Sequence, residues 1–488
     1  MKLRDPFAGC SPAPSSALCV DSRPRRQFAA ASLSAALALL GHVGDARADA
    51  PEPAGDAKPV STVAPERPTE STPKRALPDY DGRGQAPDPP GEIALWLPRA
   101  VLYPLYFVSE YVLRRPIGAF LSHAERHHWA EALLSTFTWN DRKIGVVPTF
   151  LADFGFLPSV GVYFFWDDFL AKNNDLRVSA GTWGVDWLAL TVTDRIHIVK
   201  GRSRVELRST FVRRSDYRIY PLGPDSPDVL ARFGADLLDA GPTFLTGGWR
   251  SSTFSASVGV RRWVLRQDLT CCGSPDIDTQ VAAGAFPPPS DSDYTVLYSR
   301  LDGAIDSRLA RPDPGSGFLL HAIGEQASGV AAGQRRSWLN WGGDIGASVD
   351  VTGIQRVLSL TASARFTEAV QGSVPFVELS TLGGNELMRG FYPGRLRDRS
   401  AAALTLQYTW PIWVFLDGAM HFAVGNVFGE HLAGIAPEKL RWSSGVGIRT
   451  NGSRDHTVEA LFAAGSETFE QGGRIQSFRL MLGSHHGF

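Results

Sequence analysis

From about Lys143 to its C-terminus the chain sets an apolar residue at every second position. That is the period of strands with one apolar face, and it is held for about 345 residues. Sixteen strands are predicted, beginning near residues 143, 158, 175, 187, 202, 230, 251, 292, 316, 336, 355, 399, 412, 440, 455 and 475. In the seventh, Phe254, Ala256, Val258 and Val260 share one side, opposite Thr253, Ser255, Ser257 and Gly259. In the eleventh, Leu358, Leu360, Ala362, Ala364 and Phe366 stand opposite Ser359, Thr361, Ser363 and Arg365. Lipid outside and water inside demand such a wall, whereas a soluble sandwich turns the same alternation inward. Ahead of it the period is helical: Pro98, Pro104 and Pro116 take first-turn positions, and Leu105, Val108 and Val112 fall on one face, predicting short helices over 95–134.

The N-terminus separates lipid-facing from soluble. Residues 1–48 read as a signal peptide: Arg23, Arg25 and Arg26, an apolar run from Phe28 to Leu40, then the small-x-small site Ala46-Arg47-Ala48. No later run of 18 apolar residues occurs, so any membrane crossing is by strands. Residues 49–94, rich in Pro, Ala, Asp, Glu and Ser, read as a disordered linker. At the other terminus Phe478, Leu480, Leu482, His486 and Phe488 recur every second residue, the ending that outer-membrane barrels present to their assembly machinery. An export signal, an even strand number and this ending together predict an all-β fold, a 16-stranded antiparallel transmembrane β-barrel over 143–488 in the outer membrane of a Gram-negative bacterium. The helices at 95–134 would then be periplasmic or interfacial.

Charge and chemistry narrow the function. Lys and Arg number 49 against 50 acids, for a net charge of -1, and no basic face is concentrated enough for nucleic acid. Cys10 and Cys19 precede the cleavage site, and Cys271 and Cys272 are adjacent, so no metal or redox centre is expected. His421 and Asp417 share a face, but no Ser motif completes a catalytic set, and no enzyme activity is expected.

The segment from Gly383 to Ile412, GGNELMRGFYPGRLRDRSAAALTLQYTWPI, is a Gly-rich loop carrying Met388-Arg389-Gly390-Phe391 that runs into an alternating strand. It resembles the signature of the BamA/TamA superfamily of outer-membrane assembly and translocation barrels, the bacterial surface antigen superfamily. The resemblance implies that this sixth extracellular loop folds back into the lumen as a clamp, where its Arg meets acidic groups on the following two strands. It also implies insertion, assembly or translocation of unfolded client proteins, without ATP or cofactor. The linker at 49–94 cannot fold as the POTRA domain usual in that family, so client capture would fall to 95–134 or to a periplasmic partner. A passive pore or a structural surface barrel of the same fold is the alternative.

Strand parity proposes the partners of the clamp. With Leu404, Leu406, Tyr408 and Trp410 facing lipid, Thr405, Gln407 and Thr409 turn inward; with Met420, Phe422 and Val424 facing lipid, Asp417 and His421 do so. Asp417 is then the expected carboxylate for Arg389, and Gln407 stands where the family usually has a glutamate. Pro148, in the first strand, cannot donate a ladder hydrogen bond and is expected to loosen closure against the last strand. In the resembled family that seam templates client strands.

Overall fold

A computed structural model of the protein describes residues 135–484, except 267–272, 285–292, 310–314, 331–334, 352, 354, 414–415 and 451–457, together with 119, 123 and 127. The expectations for 1–48 and 49–94, nearly all of 95–134, and Phe488 lie outside the described residues.

Sixteen long strands form the wall. They are β1 (Ile144–Asp153), β2 (Ser159–Trp166), β3 (Asn174–Thr182), β4 (Leu188–Val199), β5 (Ser203–Ile219), β6 (Ala231–Gly247), β7 (Thr253–Arg266) and β8 (Tyr294–Asp306). The second half is β9 (Gly317–Gly329), β10 (Ser337–Asp350), β11 (Val357–Gln371), β12 (Ser400–Trp413), β13 (Leu416–Phe428), β14 (Arg441–Thr450), β15 (Val458–Ser466) and β16 (Ile475–Ser484). Each pairs antiparallel with the next, and β16 pairs with β1 to close the barrel. Closure removes the unpaired edges that lipid cannot satisfy.

The alternation is realised as read. Phe254, Val258, Val260, Leu358, Leu360, Leu406, Met420, Phe422, Leu480 and Leu482 are exposed on the outer wall, a belt that only lipid would cover favourably. Asp417 and His421 are buried on the inner side. One end carries tight turns, such as 248–252 between β6 and β7; the other carries long connections, including α1 (Ile277–Ala282) between β7 and β8. β12 runs to Trp413, through the expected turn at Pro411, so β13 starts four residues later than its pattern suggested.

Four apolar clusters form among the described residues, and the connection between β11 and β12 supplies buried members of two. Leu382, Met388, Phe391 and Leu396, from the connection between β11 and β12, pack on Ala401, Ala403, Ala423 and Val427. Phe376, from the same connection, packs with Ile219, Ala231, Phe233 and Ile277. The interior is therefore built largely around one loop.

Candidate functional site: loop six and the barrel seam

Loop six, residues 372–399, enters through a short 3-10 turn at Phe376–Glu378 and forms a hairpin that pairs Ser380–Leu382 with Leu396–Asp398. Its tip turns at Met388, which takes the left-handed φ of 53°, and the Phe391 N–H donates to the Met388 carbonyl at 3.0 Å. Gly390 does not supply that reversal. Its φ is not left-handed; it is glycine because a Cβ there would overlap the Ala464 carbonyl on β15. Phe391 is fully buried, and its ring occupies the space a Cβ on Gly465 would need.

Polar contacts fix the tip to three strands. Arg389 forms an ion pair with Glu459 on β15. The Gly390 N–H donates to Ser443 Oγ on β14 at 2.8 Å, and Ser477 Oγ on β16 donates to the Gly390 carbonyl at 2.8 Å. The Tyr392 hydroxyl donates to the Phe478 carbonyl at 2.9 Å.

The base of the loop is held on the opposite side. Glu378 accepts from Arg261 of β7 at 2.9 Å and from the Tyr294 hydroxyl of β8 at 2.8 Å. Arg261 also donates to Glu325 of β9 and Asp239 of β6, both at 2.9 Å. Burial pushes the Glu378 carboxyl up, against the pull of Arg261, and pushes the Arg397 guanidinium on the returning arm down to about 10. Loop six therefore crosses the lumen from the β6–β9 wall to the β14–β16 wall, and it cannot be a mobile surface loop.

One expected pairing is corrected. The carboxylate that receives Arg389 is Glu459, not Asp417. Asp417 lies directly opposite Arg449 of β14, and Arg449 directly opposite Glu459, so acid, base and acid form one inward-facing row across three strands. The tip backbone is bonded to β14 and β16, and Glu459 stands on β15 between them, whereas Asp417 stands on β13. Gln407 donates to Thr409 at 3.1 Å and lies opposite His421 of β13. A lone glutamate in the alternating run Val458-Glu459-Ala460-Leu461-Phe462 was the sequence signal for the true partner.

The seam is short. Its register pairs among the described residues are Asp153 with Met481, Ala152 with Leu482 and Leu151 with Gly483. The Phe154 N–H donates across it to the Leu480 carbonyl at 2.9 Å. Backbone groups alternate in direction along a strand, so 152, 150 and 148 also turn toward the seam, and the donor missing from Pro148 is missing on that edge. Inside, Arg479 of β16 is buried, with Nη2 2.7 Å and Nε 3.1 Å from the Asp153 carboxylate of β1. Its other N–H groups reach Asn385 Oδ1 at 2.7 Å, the Gly384 carbonyl and the Arg389 carbonyl, all in loop six. Neither Arg479 nor Asp153 was singled out in the sequence, because each is one charged residue in an otherwise regular strand.

A closed wall, a loop-six tip seated on the last three strands, and a short seam are now in place. The matching family model is the Omp85 superfamily domain, over residues 295–484. The match covers the second half of the barrel. It runs from β8 to β16 and includes loop six. Among solved structures, the chain is similar to BamA from Haemophilus ducreyi lacking POTRA domains 1–3, at 13% identity, TM-score 0.51 and 70% coverage of each chain, a likeness of fold. It is also similar to CdiB from Acinetobacter baumannii, at 11% identity and TM-score 0.44, covering 70% of this chain and 59% of that one. CdiB from Escherichia coli gives 13% identity and TM-score 0.44, covering 69% and 62%. No curated protein sequence matches the chain significantly.

Proposed function

We propose that this barrel inserts or translocates protein clients at the bacterial outer membrane, as a non-enzymatic Omp85 factor. The observation that carries the reading is the joining of the Arg389-Gly390-Phe391 tip to the strand that closes the seam. The tip stiffens β14–β16 while the facing edge of β1 keeps a position, Pro148, that cannot complete a ladder. A client strand adding to that edge would gain backbone hydrogen bonds in register, the physics of strand augmentation. Gly390 and Phe391 act as the anchor, Arg389 with Glu459 as the charge clamp, and Met388 as the turn. The Phe478, Leu480 and Leu482 row on the lipid side of β16 is the stretch by which this chain would itself be recognised during assembly.

A passive pore is disfavoured by loop six, which crosses the lumen and is tied at both ends. The test is reconstitution of the purified full chain in liposomes with a urea-unfolded client barrel, following the protease-resistant fraction over time. Acceleration that Arg389→Ala loses is expected. Equal client folding with folded wild-type barrel and with empty liposomes would overturn the reading.

A further inference from the structure

We propose that Arg479 and Asp153 form a latch that makes opening of the seam and release of the loop-six tip one event. The inference deepens the proposed function, since it rests on the seam as the working site and concerns what keeps it shut.

Arg479 uses its whole donor set. Nε and Nη2 grip Asp153 on β1, while Nη1 and the rest of Nη2 hold the Gly384 and Arg389 carbonyls and Asn385 Oδ1 in loop six. The rigid fork of a guanidinium can serve two structures at once in this way, which a lysine ammonium cannot. The carboxylate is the sole charged acceptor of the set. Parting the strands with the tip in place would strand one buried charge against neutral acceptors, a costly state for so buried a guanidinium.

The two sides of the seam are otherwise carried by different parts of the wall. On the β1 side, the chain just past the strand is gripped from β5 and β6. Arg232 Nη2 donates to the Gly155 carbonyl at 2.7 Å, Arg218 donates to the same carbonyl, and the Leu157 N–H donates to Asp216 at 2.8 Å. On the β16 side, Ser477, the Phe478 carbonyl and Arg479 all hold loop six. Tyr392 joins the two: its ring lies 4.0 Å from the Arg218 guanidinium while its hydroxyl holds β16. The loop tip thus touches both banks, and the sides cannot part without disturbing it.

Hydrogen exchange of the full chain in lipid tests this without any client, so it stands or falls apart from the reconstitution. The segments followed are 149–156 and 478–483 for the seam and 386–394 for the tip, with 337–350 as reference. If the latch couples them, Asp153→Asn and Arg389→Ala each speed exchange of seam and tip by the same factor, about tenfold or more for a lost charged hydrogen bond. The reference stays unchanged. Arg479→Lys, which keeps the charge and loses the fork, gives the same joint pattern and serves where Asp153→Asn does not fold. Acceleration of each variant's own segment alone, or an unchanged seam in Asp153→Asn, would overturn the proposal.

Discussion

The ladders β10/β11 and β16/β1 do the same job in the same wall by different means. The first runs over fourteen residue pairs, from Ser337 with Gln371 to Asp350 with Val357, with one register shift beside Ser337, and its backbone hydrogen bonds are joined by the Arg365–Asp344 ion pair. The second has three pairs among the described residues, and side chains add to its cohesion: a buried ion pair, a loop glycine pressed against β15, and a phenylalanine socketed at Gly465. Backbone pairing is permanent unless a strand unfolds, whereas side-chain closure can be undone a few contacts at a time. A barrel that keeps one ladder short has a place to open while the rest stays folded.

The strongest way to break the comparison is Arg479→Ala. It leaves Asp153 inside the wall without its counter-ion and is expected to lower stability to urea by about 3 to 5 kcal/mol. The same change at Arg365 on β11, paired with Asp344 at 2.9 Å in the long ladder but a quarter exposed, should cost less than half as much. Next comes the clamp. Glu459→Gln should cost about 1.5 to 3 kcal/mol and release the tip, seen as faster exchange at 386–394, while Asp417→Asn leaves the tip protected. If Asp417→Asn frees the tip instead, Asp417 and not Glu459 holds Arg389. Gly390→Ala should cost about 1 to 3 kcal/mol through overlap with the Ala464 carbonyl, measured as a shift of the urea midpoint with an unchanged slope. The smallest effect sharpens the contrast from the other side. Pro148→Val restores a donor on the seam edge and should add about 0.5 to 1.5 kcal/mol, slowing client insertion; unchanged insertion kinetics would take that edge out of the mechanism.

The wall was legible because strand alternation is a local code. Every predicted start lies within four residues of the observed one, and the one four-residue miss, at β13, came from reading Pro411-Ile412 as a turn when β12 continues through it. The tip was legible from the resemblance carried by Arg389-Gly390-Phe391. Its partner was not. Parity correctly turned Asp417 into the lumen, but parity gives the face of a residue and not its position around the circumference. Arg389 and Glu459 are 70 residues apart, and Arg479 and Asp153 are 326 apart. Only the path of loop six and the closure of the barrel bring such residues together, and neither is written in any local period.

Loop six also imposes an order on the birth of the molecule. The strand groups that Arg389, Gly390 and Phe391 grip all come later in the chain: Ser443, Glu459, Gly465 and Ser477. Until those strands are in place, residues 388–391 have no socket, and the apolar Met388 and Phe391 stay unhoused. Seating of the tip is thus a late event that certifies the last three strands as present and in register. A version with a slipped β15 would raise its Glu459 to the wrong height, leave Phe391 unhoused, and be marked as unfinished by the surface it failed to bury.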